Sequence, residues 1–94
     1  MSYTVIWLRK AEAVLAQLWE TNPSARAVIT QAAFQVDEIL KSEPAEAGES
    51  RFGNLRILLV PPLGVTFRFY IEDRLVRVGE VWYFAKRRPQ PDSP

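Results

Sequence analysis

The spacing of hydrophobic residues in the first half of the chain predicts one strand followed by two helices. Residues 3–8 alternate between two faces and favour β-structure, whereas residues 9–20 place apolar side chains at helical spacing. Residues 21–23 join a threonine and an asparagine, which suit helix caps, to a proline, which suits a first helical turn. A second helix is therefore expected directly after them, packed as a hairpin against the first. Its apolar stripe comprises Val28, Ile29, Ala32, Ala33, Val36, Ile39 and Leu40.

The second half of the chain changes to a period of two residues, which predicts strands. Residues 42–50 contain three glutamates, one proline and one glycine without periodicity, and they indicate an exposed loop. Residues 55–60 and 65–71 then alternate on either side of a turn at 61–64. A further reversal leads into a fourth strand over residues 75–84.

Which side chains of the fourth strand face the core depends on Gly79. The predicted inward set is Val76, Val78 and Trp82, and the predicted outward set is Arg77, Val81 and Tyr83. A glycine inside a strand often marks a bulge, and a bulge at Gly79 would shift this register. Trp82 on the inward face and Trp19 on the first helix's apolar stripe are both predicted to pack in the core.

The order of elements defines the predicted fold class. It is α+β with the order β-α-α-β-β-β, in which an antiparallel sheet carries the two-helix hairpin on one face. Residues 1–85 form this single domain, and residues 86–94 form a basic, proline-rich C-terminal tail. The opposite face of the sheet stays free to bind something.

Composition narrows the chemistry that the chain can perform. Among its 94 residues 48% are hydrophobic, which is enough for one core, and neither cysteine nor histidine occurs. This excludes disulfides, thiolate chemistry and histidine acid–base catalysis, and it removes most zinc sites. No glycine-rich phosphate loop or metal-ligand cluster is visible in the sequence, so we expect no cofactor and no metal. With no signal-like N-terminus and no apolar run of membrane-spanning length, a cytoplasmic protein is predicted.

Charge is distributed unevenly along the chain. Residues 1–50 hold four basic and seven acidic side chains, a net charge of −3, whereas residues 51–94 hold eight basic and four acidic ones, a net charge of +4. The basic second half favours an anionic partner, either nucleic acid or an acidic polypeptide.

Two stretches of the second half, together with the element order, resemble the RelE/ParE toxin superfamily. They read GESRFGNLRILLV and PPLGVTFRFYIEDRLVRVGEVW. The features that match the superfamily are Pro44 after the second helix, Gly48, Arg51, Arg56 and an acidic hairpin tip at residues 72–73. The resemblance implies the toxin of a type II toxin–antitoxin pair, held by an antitoxin in a hetero-oligomer, with a homodimer as the other assembly considered.

The resemblance leaves the target open between two activities. RelE-like members cleave ribosome-bound mRNA, whereas ParE-like members inhibit DNA gyrase. The catalytic residues implied for the first activity are Arg56, Arg68, Tyr83 and Lys86. RelE-like members carry an arginine at the start of the third predicted strand, residues 65–71 here, and this chain has Val65 at that position. The difference favours the ParE-like activity or a regulatory member that only binds a partner.

Further candidates are assigned to nucleic-acid or partner binding. They are Arg51, Arg77, Arg87, Arg88, Leu58 and Tyr70. Arg56, Arg68 and Arg77 are predicted to line the open face of the sheet, either as a binding surface or as the polar face that a one-sided sheet needs. The antitoxin is expected to lay a helix or strand over the sheet and along the helical hairpin, and to cover apolar outward residues such as Leu58 and Val60.

Several of these residues have a purely structural interpretation as well. Arg51 could pair with a nearby glutamate, and residues 86–88 could form only a solubilising tail. Tyr70 and Tyr83, predicted outward, could stack on a base or pack across strands. Glu80, within an apolar strand, could act as a base, but such a carboxylate more often pairs with an arginine on the next strand, and we favour that pairing.

Overall fold

The computed structural model describes residues 2–84, which form two α-helices and five β-strands. In chain order these are β1 (Thr4–Trp7), α1 (Arg9–Thr21), α2 (Arg26–Ser42), β2 (Glu49–Phe52), β3 (Leu55–Val60), β4 (Leu63–Tyr70) and β5 (Leu75–Tyr83). Short 3-10 turns, Pro23–Ala25 and Pro44–Glu46, precede α2 and β2. Neither helix in this part of the chain is both long and apolar enough to cross a membrane.

The junction between the helices differs in detail from the sequence prediction. Pro23 opens the 3-10 turn, and α2 begins three residues later at Arg26. The side chain of Asn22 donates to the Leu18 carbonyl at 2.8 Å, so it closes α1 instead of capping α2. The end of the first helix exposes carbonyls that need donors, and this asparagine satisfies one of them.

The sheet has the order β1-β5-β4-β3-β2 and is mixed. Strands β2 to β5 pair antiparallel, whereas β1 pairs parallel with β5. The prediction of a wholly antiparallel sheet is wrong for β1, because the helical hairpin gives the chain enough length for a parallel crossover. The α+β class, with a helical hairpin packed on one sheet, is confirmed.

Strand β2 was not among the predicted elements. Its residues Glu49–Phe52 are all exposed and carry little hydrophobic alternation, so the sequence indicates a loop there. The chain reverses at Gly53 and Asn54, and Gly53 has a φ of 59°, a left-handed conformation suited to a tight hairpin. The hairpin places β2 alongside β3, and pairing with β3 makes it a strand.

The helices cover one face of the sheet, and the core lies between them. The buried core residues of the sheet include Leu58, Val60, Leu63, Val65, Phe67, Val76 and Val78. From the predicted stripe of α2, Ile29, Ala32, Val36 and Leu40 are buried, whereas Val28 and Ile39 are exposed. The stripe is thus narrower than the run of apolar residues that predicted it.

The bulge predicted at Gly79 is confirmed. Thr66 pairs with Glu80 and Phe67 pairs with Val78, so Gly79 has no partner residue on β4. The extra residue exchanges the two faces beyond it. Val81, predicted outward, is buried against Val65, its cross-strand partner.

Trp82 and Tyr83 consequently also lie on the faces opposite to those predicted. Trp82 pairs with Gly64 on the open face, and a Cβ on Gly64 would come within 2.5 Å of the indole ring. Tyr83 pairs with buried Leu63 on the helix-covered face, although it is 37% exposed at the end of the sheet. The prediction of Trp82 as a core residue is therefore wrong.

Candidate functional site

The sheet face that the helices leave uncovered forms a concavity with a polar lining. We call this surface the open face. Cross-strand partners in an antiparallel pair lie on the same side, so the register assigns its members. On β4 and β5 they are Gly64, Thr66, Arg68, Tyr70, Leu75, Arg77, Glu80 and Trp82. A groove of about 360 Å³ runs between these strands and the start of α1.

Arg68 is held in the open face by a neutral partner. Its Nη1 donates to the Asn54 side-chain oxygen at 2.9 Å. Asn54 is fixed in turn, because its Nδ2 donates to the Phe69 carbonyl at 3.0 Å. The guanidinium keeps its full charge and most of its donors, since an amide accepts a hydrogen bond without neutralising it.

Arg77 lies next to Arg68 and also lacks an acidic partner within residues 2–84. The two arginines are cross-strand partners, and Arg77 lies over the Tyr70 ring at 5.4 Å from its centroid. Like charges placed directly opposite each other disfavour the free sheet. An anion bound between the two guanidiniums would relieve this repulsion, and Lys10 adds a third cation to the lining of the groove.

Glu80 supplies the carboxylate of this groove. Its Oε1 accepts a hydrogen bond from the Thr66 hydroxyl at 3.1 Å across the strands. We predicted a pairing of Glu80 with an arginine on the next strand, and the described residues contain no such pair. The bulge at Gly79 aligns Glu80 with Thr66, a neutral residue.

Arg56 does not share the open face with Arg68 and Arg77, contrary to the prediction. It pairs with buried Phe67, so it lies on the helix-covered side. Its Nε donates to the Ala47 carbonyl at 2.7 Å and its Nη2 to the Gly48 carbonyl at 3.1 Å. The side chain ties the segment before β2 to the start of β3, which is a structural contact.

The face assigned to β3 from the sequence is inverted as a whole. Leu58 and Val60, predicted outward, are buried at 8% and 9% exposure. Leu55, Ile57 and Leu59 occupy the open face instead, because they pair with Arg68, Thr66 and Gly64. Both faces of this strand carry apolar side chains, so alternation alone does not indicate which face packs against the helices.

The remaining predicted site residues are dispersed. Arg51 pairs with Glu49 at 3.7 Å on the outermost strand, which agrees with its structural interpretation. Tyr70 lies in the open-face groove, as expected. Tyr83 lies on the opposite face, and Lys86, Arg87 and Arg88 fall outside the described residues.

A second concavity, missed from the sequence, lies on the helical hairpin. We call it the helix groove. Its volume is about 450 Å³, and it is lined by Glu12, Leu15, Ala16, Trp19, Glu20, Ile29, Thr30 and Ala33. Trp19, predicted in the core, is 43% exposed there, and the Arg26 guanidinium carbon lies over its ring at 4.4 Å from the ring centroid. Both helices carry more apolar residues than one buried stripe needs, and this excess is the signal in the sequence.

Comparison with solved structures identifies the fold. A chain of the chromosomal ParDE TA system from P. aeruginosa superposes with a TM-score of 0.71 and 19% identity, covering 87% of this chain and 96% of that one. A chain of the toxin–antitoxin complex RelBE2 from Mycobacterium tuberculosis gives a TM-score of 0.69 and 21% identity, covering 92% and 95%. The chain therefore has the RelE/ParE fold, which confirms the resemblance at the level of architecture.

Comparisons of sequence alone give no match. No protein-family model matches the chain, and no curated protein matches it significantly.

Proposed function

We propose that this chain is the toxin of a type II toxin–antitoxin pair and acts in the cytoplasm. The observation that carries the proposal is the structural similarity to chains of two toxin–antitoxin systems, which extends over at least 95% of each of those chains. The match therefore spans nearly the whole length of both neighbouring chains. The partner that we propose is a small antitoxin.

The helix groove and the open face are the surfaces that we assign to the antitoxin. The helix groove offers an apolar trough with an exposed tryptophan, and amphipathic helices bind to troughs of this kind. The open face offers Arg68 and Arg77, which an acidic segment would neutralise. An antitoxin that covers both surfaces would bury the exposed apolar residues and the unpaired cations together.

Cleavage of ribosome-bound mRNA is the first target activity that we consider. The open-face groove supports it, because two arginines and a lysine line one concavity beside a tyrosine and a carboxylate. Cations of this kind stabilise the charge that develops on phosphate during cleavage. Of the three described residues first assigned to catalysis, Arg56, Arg68 and Tyr83, Arg68 alone lines this groove.

Gyrase inhibition is the second candidate. Two of the predicted catalytic residues, Arg56 and Tyr83, lie on the helix-covered side and not with Arg68. A toxin that acts by binding needs no assembled catalytic set, so this dispersal favours the second activity. A regulatory protein that binds only its partner remains the alternative function.

Induction of the chain alone in a bacterial host tests the toxin proposal. We expect growth arrest within one generation time and relief when the adjacent reading frame is expressed with it. Arg68→Ala serves as the variant with weakened toxicity, and Arg51→Ala, whose side chain already pairs with Glu49, serves as its control. Normal growth of cells expressing the unmodified chain would reject the proposal.

The same cells distinguish the two targets. RNA ends are sequenced and plasmid supercoiling is measured within minutes of induction. New ends inside translated codons would establish mRNA cleavage. Intact messages with relaxed or broken plasmid would establish gyrase inhibition, and arrest without either change would point to a third target.

A further inference from the structure

The apolar surface of the helical hairpin continues past the helix groove toward β1. A smaller concavity of about 290 Å³ shares part of its lining with the helix groove, and its members are Trp7, Glu12, Leu15, Ala33, Phe34 and Asp37. We call the two concavities together the hairpin groove. On α2 it extends from Ile29 to Asp37, which is about 12 Å at 1.5 Å per residue. A helix of roughly two to three turns matches this length.

The charged side chains that line the hairpin groove are all acidic. Glu20 lines one end, and Glu12 lines both concavities. Asp37 lines the other end, where its carboxylate accepts a hydrogen bond from the Trp7 indole at 3.2 Å. No lysine or arginine of the described residues lines either concavity. Glu12 and Glu20 also form no ion pair within residues 2–84, so both charges are available to attract a partner.

Two cations of the hairpin are held by other contacts. The Arg26 guanidinium lies over the Trp19 ring, and its Nε donates to the Trp19 carbonyl at 2.8 Å. Lys41 lies 3.5 Å from the carboxylates of both Asp37 and Glu38. It therefore offsets part of the charge at the Asp37 end, and the uncompensated negative charge of the groove lies at Glu12 and Glu20.

Exposed aromatic side chains supply the apolar surface of the hairpin groove. Trp19 and Phe34 line it from opposite helices, and both are exposed. The Trp19 indole nitrogen donates to the Thr30 hydroxyl at 3.2 Å, and Arg26 covers the ring, so the ring is already oriented before a partner binds. A side chain held in this way loses little freedom on binding, which favours it as an anchor. An apolar surface edged by carboxylates is complementary to an apolar stripe edged by cations.

We propose that the antitoxin segment bound in the hairpin groove is an amphipathic helix whose apolar stripe is flanked by lysines and arginines. This inference rests on the proposed toxin function and names the chemistry of its partner. The apolar stripe packs on Trp19 and Phe34. The basic side chains lay their methylene stems along the apolar surface and bring their charges to Glu12 and Glu20.

The open face has the opposite charge requirement. Its groove is lined by Lys10, Arg68 and Arg77 and by one carboxylate, that of Glu80, so it attracts an acidic segment. An antitoxin that covers both surfaces therefore separates its charges along its sequence into a basic helix and an acidic segment. Exchanging the two segments would place like charges together on both sides of the molecule, so this pattern also fixes the orientation of the antitoxin.

Charge reversal in the hairpin groove tests this proposal. The double variant Glu12→Lys/Glu20→Lys and the unmodified chain are compared by biolayer interferometry for binding to the purified product of the adjacent reading frame. We expect the Kd of the variant to rise roughly tenfold at low ionic strength, mainly through slower association, and the difference to shrink as salt is added. Both positions are exposed, so the fold should persist, and thermal unfolding followed by circular dichroism checks this.

Glu43→Lys/Glu46→Lys is the matched control, since it makes the same change in net charge at two exposed glutamates outside the hairpin groove. Its Kd should stay within about twofold of that of the unmodified chain. A charge exchange locates the helix. An antitoxin whose helix carries glutamates in place of its lysines and arginines should bind Glu12→Lys/Glu20→Lys more tightly than it binds the unmodified chain.

Each other outcome contradicts the basic helix in a different way. Equal Kd values for the test and control variants would overturn it and leave the toxin proposal intact. Tighter antitoxin binding by Glu12→Lys/Glu20→Lys would assign the groove to an acidic segment. A free chain that sediments as a dimer, and as a monomer after Trp19→Ala, would assign the groove to a second copy. Absence of both growth arrest and binding would instead reject the proposed function together with this inference.

Discussion

At the scale of single residues, two glycines with similar backbone angles occupy different surroundings. Gly48 has a φ of 63° and Gly53 a φ of 59°, both in the left-handed region. A Cβ on Gly48 would overlap the carbonyl oxygen of Ile57, whereas a Cβ on Gly53 would meet nothing within 4 Å. Gly48 is therefore required by close backbone packing as well as by conformation.

Replacing each of these glycines with alanine separates the two requirements. Gly53→Ala should lower the free energy of unfolding by about 1–2 kcal/mol, the cost of a left-handed L-residue. Gly48→Ala should lower it by more than about 3 kcal/mol, because strand β3 must also move away from the new methyl group. Urea denaturation of both variants measures the difference. If both variants lost the same free energy of unfolding, the segment before β2 would accommodate the new methyl group without further destabilisation.

Arg56 and Arg68 are both strand arginines, but they have separate roles. Arg56 donates to the Ala47 and Gly48 carbonyls, and hydrogen bonds from a charged donor contribute about 1.5–3 kcal/mol each. Arg56→Ala should therefore lower the free energy of unfolding by about 2 kcal/mol or more. Arg68→Ala removes an exposed charge opposite Arg77 and should change it by less than about 0.5 kcal/mol. Chemical denaturation measures both changes, and a stable Arg56→Ala variant would restore that residue as a candidate for function.

At the scale of secondary-structure elements, the helical hairpin has two apolar sides. One side packs on the sheet through residues such as Ala11, Ile29 and Val36, which are nearly fully buried. The other side exposes Trp19 and Phe34, at 43% and 60%. Contiguous exposed apolar surface of this kind is typical of a partner-binding site.

Trp19→Ala tests the helix groove as an antitoxin surface. Tryptophan is a frequent hot spot of binding energy, so we expect affinity for the antitoxin to fall by at least about 2 kcal/mol, or roughly 30-fold. Growth arrest should persist, and rescue by the antitoxin should fail. Calorimetry measures the affinity, and Gln35→Ala, another exposed position of the hairpin, is the control. If the Trp19→Ala variant bound the antitoxin with unchanged affinity, the antitoxin-binding surface would lie outside the helix groove.

At the scale of the whole molecule, the sheet divides two chemically different sides. The helix-covered side holds the core and, beyond it, the apolar helix groove with Glu12 and Glu20 among its lining residues. The open face presents Arg68 and Arg77 without acidic partners among residues 2–84. A partner that covers both sides must wrap around the molecule. Because such a partner binds only the folded chain, its binding would stabilise the fold.

Antitoxin binding should therefore raise the thermal stability of the chain. A ligand that binds only the folded state at a concentration 1,000 times its Kd adds about 4 kcal/mol. For a domain of this size that corresponds to a rise in Tm of roughly 15 °C or more. Differential scanning fluorimetry of the chain with and without purified antitoxin measures the shift. A Tm independent of antitoxin concentration would argue against a direct complex.

Local chemistry in the sequence was sufficient to predict the helices, four of the five strands and the bulge. Helical spacing and period-two alternation are properties of neighbouring residues, so they can be read without knowing the fold. The excess of apolar residues on the hairpin and the absence of histidine were equally visible, and both still constrain the function. The outward facing of Arg68 and Tyr70, two of the β4 residues that line the open-face groove, also followed from alternation alone.

Tertiary structure alone decided which face each strand presents and what each charged residue meets. Strand β3 is apolar on both rows, so its pairing with β4, and not its sequence, buries Leu58 and turns Arg56 toward the Ala47 carbonyl. The unpartnered Gly79 likewise places Glu80 opposite Thr66, and β2 becomes a strand only beside β3. The physical reason is common to all three cases. Register and pairing are set by contacts between segments distant in the chain, where a shift of one residue exchanges the two faces of a strand.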